Sequence, residues 1–236
     1  MTISVVMTTY NGERYLKEQL ESIIPYLEDG DELIISDDGS VDATLDILSS
    51  YESENVKIFS GPQKGVVKNF ESALYRASGD ILMFADQDDI WLPEKLPFVR
   101  NFFKKNTDVQ MLLHDMFMAS NDEIQNNDYS RRSFKERRRK HGVLNNVIHN
   151  GYYGCCMSFT REFKNNFLPI GEKVNAYDQW IGLIAEYYNT AVFVDKPMII
   201  HRCHGNNLGR NLKFIEKIRF RLQLLYSFVD YIKRKK

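Results

Sequence analysis

Apolar and polar positions fall into alternating blocks along the first 110 residues. Ile3-Ser4-Val5-Val6-Met7, Leu33 to Ile35, Val56 to Phe59 and Ile81 to Phe84 are short apolar runs of strand length. Between them, Leu16, Leu20, Ile23 and Ile24 share one helical face, as do Val67, Phe70 and Leu74. Leu45 and Leu48 mark a shorter helix after Gly39-Ser40, with Ser40 or Asp42 placed to cap it. Repeated strand–helix units of this kind predict a largely parallel sheet with helices on its faces. Val109 to Leu113 predicts a further strand, and Ala191 to Val194 with Met198 to Ile200 predicts a strand pair returning toward the same region. Residues 120–146 are polar, and the basic run Arg131 to Lys140 reads as a loop or an exposed helix. From Leu212 to Lys236, apolar residues alternate with Lys217, Arg219, Arg221 and a terminal Lys233-Arg234-Lys235-Lys236. That segment suits an amphipathic helix on a membrane face, on a second subunit or on its own domain.

Polar chemistry sits where the strands stop. Thr8-Thr9-Tyr10 follows the first strand, Asp37-Asp38-Gly39 the second, and Asp86-Gln87-Asp88-Asp89-Ile90-Trp91 the run Ile81 to Ala85. In an open α/β sheet, ligands gather beyond the carboxyl ends of strands, so these groups are expected on one edge. Three carboxylates in four residues repel one another unless a cation lies among them. Mg²⁺ or Mn²⁺ holding a diphosphate satisfies hard oxygen ligands of this kind. A helix cap beginning near Pro93 is the plainer alternative, though a cap needs fewer acids. Asp38 can accept the imide N–H of uracil or thymine, Tyr10 offers a ring for stacking, and Thr8 adds backbone and hydroxyl contacts. An Asx turn with Gly39 at positive φ is the competing reading of Asp37-Asp38.

Bulk properties narrow the classes. At 236 residues the chain fits one domain, or one domain with an appendage. Apolar content of 43% and charged content of 27% are ordinary for a globular protein. A net charge of −1 argues against a chain built to coat nucleic acid. Cys155, Cys156 and Cys203 make no disulfide framework and lack a zinc-ligand spacing, which points to a reducing compartment. The first strand starts at once, without a signal peptide, and no run reaches the ~18 apolar residues of a membrane span. A soluble or peripheral protein is expected.

Taken in order, Thr8-Thr9-Tyr10-Asn11-Gly12, Asp37-Asp38-Gly39-Ser40, Asp86 to Trp91, Asn175-Ala176-Tyr177-Asp178-Gln179-Trp180 and Arg202-Cys203-His204-Gly205-Asn206-Asn207 resemble the family 2 nucleotide-sugar glycosyltransferases. The resemblance covers roughly residues 1–210. It implies a GT-A fold: a Rossmann-like, mostly parallel central sheet flanked by helices. Residues 1–110 would form the nucleotide-sugar half, 111–210 the acceptor half, and 211–236 a basic amphipathic helical tail. Asp-Gln-Asp-Asp-Ile-Trp with the later Arg-x-His-Gly-x-Asn is similar to bacterial polysaccharide rhamnosyltransferases.

By that resemblance Asp88 is a direct ligand of Mn²⁺ or Mg²⁺, with Asp86 near the ribose or a metal-bound water and His204 a further ligand or diphosphate donor. Gly65, Lys68, Asn69 and Gln87 join Thr8, Tyr10 and Asp38 around the donor, although Gly65, Lys68 and Asn69 equally suit a helix start and its exposed face. Trp91, Gly154, Cys155 and Trp180 are expected at the acceptor. Asp178 is the expected general base of an inverting transfer, at the start of a helix carrying Trp180, Ile181, Leu183 and Ile184. Relatives commonly have Glu-Asp here, whereas this chain has Tyr177-Asp178.

The implied partners are a dTDP- or UDP-sugar donor and a saccharide or lipid-diphosphate-linked acceptor. No nucleic acid is expected, and a homodimer through the last helix stays open. The implied location is the cytoplasm, peripheral to the inner face of the plasma membrane. Two other classes compete. A sugar nucleotidyltransferase would show a glycine-rich basic loop after the first strand, which Thr8 to Glu13 lacks. A non-catalytic nucleotide-binding scaffold would have no need of Asp86, Asp88 and Asp178.

Overall fold

A computed structural model describes residues 1–129, 142–204 and 214–235. The basic run at 131–140 and the Gly205-Asn206-Asn207 part of the last motif lie outside the described residues. The first half follows the predicted alternation: β1 (Ile3–Thr9), α1 (Leu16–Ile23), β2 (Glu32–Asp37), α2 (Thr44–Ser49), β3 (Val56–Ser60), α3 (Val66–Arg76) and β4 (Ile81–Ala85). β5 (Ile90–Trp91), α4 (Lys95–Lys105), β6 (Met111–Ala119), α5 (Asn121–Gln125), α6 (Val143–Ile148), β7 (Met157–Thr160), α7 (Arg161–Phe167), α8 (Tyr177–Tyr188), β8 (Ala191–Arg202) and α9 (Phe214–Lys235) follow.

The strands form one sheet in the order β3-β2-β1-β4-β7-β6-β8-β5. β1 to β4 are mutually parallel. β7 joins β4 and β6 antiparallel, β8 runs parallel to β6, and β5 pairs antiparallel with β8. β1, β2 and β4 are buried along their whole length, as apolar strands covered on both faces are. Alternate residues feed two cores. Val5, Met7, Leu33, Ile35 and Met83 pack with Leu16 and Leu20, whereas Val6, Ile34 and Phe84 pack with Phe70. The second core continues into α8 and α9 through Trp180, Ile184, Leu224, Phe228 and Tyr231.

The expected strand pair at 191–200 is instead a single 12-residue strand. Pro197 lies opposite Asp115, beside register shifts between β6 and β8. A bulge accommodates a residue that cannot donate to the ladder, so proline bends the strand without ending it. No helix among the described residues is long and apolar enough to cross a membrane.

A buried ion pair pins the end of the sheet opposite the strand carboxyl ends. Arg100 on α4 donates to Met1 O at 2.7 Å and to Asp31 at 2.5 and 3.2 Å. Asp31 also accepts from the backbone N–H groups of Ile3 and Glu28. Arg100→Met would leave a fully buried carboxylate without its cation, an error of about 3–5 kcal/mol. Urea denaturation should show that loss, and a change below about 1 kcal/mol would mean Asp31 is balanced by other groups.

Candidate active site

Parallel pairing of β1 with β2 and β4 puts the three polar strand ends side by side: Thr9 lies opposite Asp37, and Met7 opposite Ala85. Asp37 builds the floor. Its carboxylate accepts from Thr9 Oγ1 at 2.8 Å, from Ser40 Oγ at 2.6 Å, and from the backbone N–H groups of Gly39 and Ser40. Gly39 has φ +93°, so the turn reading of this segment is correct alongside any role in binding. Asp38 accepts from Gln63 N and Gly65 N, each at 2.7 Å, which fixes the loop before α3. Tyr10 is 58% exposed beside it.

β4 delivers the acidic trio, and β5 turns it toward β8. Ile90 pairs with Ile200 and Trp91 with Ile199, so the end of β8 lies alongside the carboxylates. Asp88 Oδ2 is 2.7 Å from His204 Nε2. Asp89, wholly buried, accepts from His201 Nδ1 at 2.8 Å and from Arg202 N at 3.3 Å. Arg202 Nε donates to Asp88 O at 3.0 Å, Nη1 to Asn121 Oδ1 at 2.7 Å, and Nη2 pairs with Glu18 on α1. One guanidinium thereby clamps the acidic loop, β8 and α1 together. Lys95 is wholly buried, donates to Cys155 O at 2.8 Å and lies 3.5 Å over the Trp91 ring.

The charges are unevenly balanced. Burial, with Asp89 and Asp88 close by, raises the Asp86 carboxyl well above its ordinary range. Burial and Asp89 also raise Asp88, against the pull of His204. Burial works against charge on Asp89 too, yet His201 brings its pKa below the ordinary value. Burial likewise opposes the His201 cation, but Asp89 outweighs it and lifts His201 to about 10. Lys95 falls to about 8 through burial, with nearby thiols and Asp89 opposing the fall.

α8 brings the remaining acid to this edge. Asp178 stands in its first turn, where a helix start favours a carboxylate. Asn150 Nδ2 donates to Asp178 Oδ2 at 3.2 Å, and Asn150 Oδ1 accepts from Tyr152 N, which orients the amide. Burial raises Asp178 to about 6, with the Gln179 N–H and the Asn150 amide opposing. Tyr177 reaches across to Asp86 Oδ1 at 3.5 Å. A Cβ at Gly154 would stand 2.0 Å from Tyr177 Oη, so only glycine admits the phenol there.

Several predicted site residues hold the site rather than face a ligand. Gln87 grips the Tyr10 backbone at both ends, accepting from its N–H at 2.9 Å and donating to its carbonyl at 3.1 Å. Asn69 is buried and donates to Ser36 O. Lys68 Nζ is held by Glu71 at 2.6 Å, Ile170 O at 2.8 Å and Glu172 at 3.2 Å. Trp91 and Trp180 are 3% and 2% exposed, so neither ring offers a platform to an acceptor. Trp180 donates to Phe167 O and meets Tyr231 edge-on, a core role. Cys155 is buried behind the acidic loop, its sulfur within 4.8 Å of ligand atoms of Asp89 and His201. Gly65 caps α3 with φ +84° and open space at its Cα. Lys95, Asn150 and His201 were not singled out from sequence, and Arg202 was named only as part of its motif, with no role. For His201 the signal was its place beside that motif, and for Lys95 and Asn150 there was none.

The donor set suits a divalent cation. Asp88 and His204 converge an oxygen and a nitrogen, and Asp86 remains beside two other carboxylates with no cationic side chain bonded to it among the described residues. Mn²⁺ should therefore raise the melting temperature of the wild-type chain and not that of Asp88→Ala with His204→Ala. An equal rise in both, read by thermal shift, would place the ion elsewhere.

Comparison with known proteins agrees with this geometry. Residues 4–167 match the family model described as glycosyl transferase family 2. The chain is 29% identical over 125 residues to an uncharacterized glycosyltransferase, alr2836 of Nostoc sp., covering 52% of the chain but 39% of that relative's length. It is 26% identical to dTDP-rhamnosyl transferase RfbG of Shigella flexneri, covering 89% of the chain and 76% of that protein. It is also 26% identical to the Escherichia coli UDP-Glc:alpha-D-GlcNAc-diphosphoundecaprenol beta-1,3-glucosyltransferase WfgD, covering 97% and 87%. Among solved structures, S. aureus TarS 1-349 with UDP-GlcNAc superposes with TM-score 0.70 at 22% identity, over 98% of this chain and 73% of that one. Glucosyl-3-phosphoglycerate synthase of Mycobacterium tuberculosis, solved with Mn²⁺, UDP and glucosyl-3-phosphoglycerate, superposes with TM-score 0.61 at 22% identity, over 98% and 79%. The fold is that of the GT-A transferases, and the chain belongs to glycosyl transferase family 2.

Proposed function

We propose that the chain is an inverting, metal-dependent glycosyltransferase that extends a cell-surface polysaccharide or lipid-linked saccharide from a nucleoside-diphosphate sugar. The observation that carries this reading is Asp178 at the head of α8, joined to the acidic edge of the sheet through the Tyr177 contact with Asp86. Asp178 accepts the proton of the acceptor hydroxyl while that oxygen attacks the anomeric carbon from behind. The bond from that carbon to the diphosphate oxygen breaks, and its electron pair leaves with the nucleoside diphosphate. Asn150 aims the carboxylate, and Arg202 with the Asp89–His201 pair holds the edge rigid. Asp88 and His204, with Asp86 beside them, would hold Mn²⁺ or Mg²⁺, which supplies positive charge against the diphosphate. Asp38 and Tyr10 are assigned to the base, with Thr8 at the nucleoside.

The donor is dTDP-rhamnose on the strength of the acidic motif and the likeness to RfbG. A UDP-hexose is the second reading, favoured by the equal identity and longer coverage of WfgD. Inversion of dTDP-β-L-rhamnose gives an α-linkage. The reaction is placed at the inner face of the plasma membrane, where lipid-linked acceptors are built.

Turnover of dTDP-rhamnose and UDP-hexoses with lipid-diphosphate-linked saccharide acceptors tests the reading. Asp178→Asn should lower turnover about 10²–10⁴-fold while leaving the nucleotide-induced rise in melting temperature. Below about pH 6 Asp178 is protonated and cannot take a proton, so the wild-type rate should fall as pH drops through about 6. Asn150→Ala removes a donor that favours the carboxylate, so this limb should move to higher pH. Unchanged turnover in Asp178→Asn, or retention of anomeric configuration in the product, would overturn the base assignment.

A further inference from the structure

α9 is apolar on two opposite sides. Leu224, Phe228 and Tyr231 are buried against the core. Ile215, Ile218, Leu222, Tyr226 and Val229, at spacings of one, two, three and four turns, line the other side. Their exposures include 79% for Ile215 and 62% for Leu222. A helix that only docks on its own domain keeps a polar outer side, so five large apolar residues there call for a second environment.

Charge selects that environment. α9 carries six basic residues against Glu216 and Asp230, a net +4 in a chain whose net charge is −1. Arg219 flanks the stripe and Lys233 extends it by one turn, while Lys173 from the segment before α8 lies 3.8 Å over the Tyr226 ring. A two-fold pairing of copies would bring these like charges together. Anionic headgroups complement them, and the acyl boundary takes the apolar stripe.

We infer that α9 is an interfacial helix whose outer side seats on an anionic lipid bilayer. Its inner side holds the catalytic half at a fixed attitude to that surface. Asn175, just ahead of α8, donates to Gln223 at 2.8 Å, and Tyr231 meets both the Trp180 ring and the Tyr188 hydroxyl. α8, headed by Asp178, is therefore tied to the helix that meets the lipid. The seating deepens the proposed reaction on a lipid-linked acceptor, but its physical basis is independent of donor and sugar.

The test is co-sedimentation of the full chain with vesicles, in the absence of nucleotide. Vesicles of mixed phosphatidylglycerol and phosphatidylcholine should carry the wild type down, vesicles of phosphatidylcholine alone should not, and added salt should weaken the binding. Leu222→Gln with Val229→Gln, both exposed, should weaken binding by about tenfold or more at an unchanged melting temperature. Arg219→Glu with Lys233→Glu should abolish the preference for anionic lipid. A wild type that stays in the supernatant with both vesicles would overturn the proposal. So would a lipid-free dimer that the Leu222→Gln, Val229→Gln chain fails to form, since a second copy would then cover the stripe. Because no donor is present, failure here leaves the transfer reading to be judged on turnover alone.

Discussion

Like charges crowded at the end of β4 set the terms for everything around them. Asp86, Asp88 and Asp89 leave a buried strand within four residues, where water cannot screen them as it does at a surface. The chain answers each one differently. Asp89 is neutralised inside by His201 and lies near the buried Lys95 cation, Asp88 meets His204, and Asp86 is left beside its neighbours with a strongly raised pKa. Much of the second half of the fold serves this arrangement: β5 turns the loop back so that β8 can bring His201, Arg202 and His204 beside it. An edge where Asp86 meets the Tyr177 hydroxyl but, among the described residues, bonds no cationic side chain suits a cation and the diphosphate that comes with it.

Asp178, the proposed base, is kept apart from this crowding but in touch with it. Asp178 is on a helix, takes a hydrogen bond from an amide that is itself oriented by backbone, and is raised only to about 6. A carboxylate with that pKa is charged at neutral pH and still basic enough to draw a proton from an attacking hydroxyl. Tyr177, next to Asp178, faces the acidic edge. A phenol there adds no further negative charge beside Asp86, and the missing side chain of Gly154 makes room for it.

The alternation of apolar runs and helical faces made the first four strands and their helices legible in the sequence, because buried parallel strands need continuous apolar runs. Strand-end placement singled out Asp38, Asp86 and Asp88, and the family resemblance singled out Asp178 at a helix start. What escaped was everything decided by long-range pairing. Ala191 to Val194 and Met198 to Ile200 read as two strands, but a bulge beside Pro197 joins them in one. The resemblance put Trp91 and Trp180 at the acceptor, yet their rings fill the core. Lys68 read as a donor contact, and its partners Glu71, Glu172 and Ile170 O include groups about a hundred residues away. Lys95 and Asn150 left no trace in sequence because their meaning comes from what they touch: a carbonyl at Cys155 and a carboxylate at Asp178.

A crystal structure of the full chain with a nucleoside diphosphate and Mn²⁺ tests the central claim most directly. The expected result is an ion on Asp88 and His204, the diphosphate against it, the base over Tyr10 and Asp38, and Asp178 facing the open position of the transferred sugar. A nucleotide bound away from the strand carboxyl ends, or an ion that ignores Asp88 and His204, would contradict it.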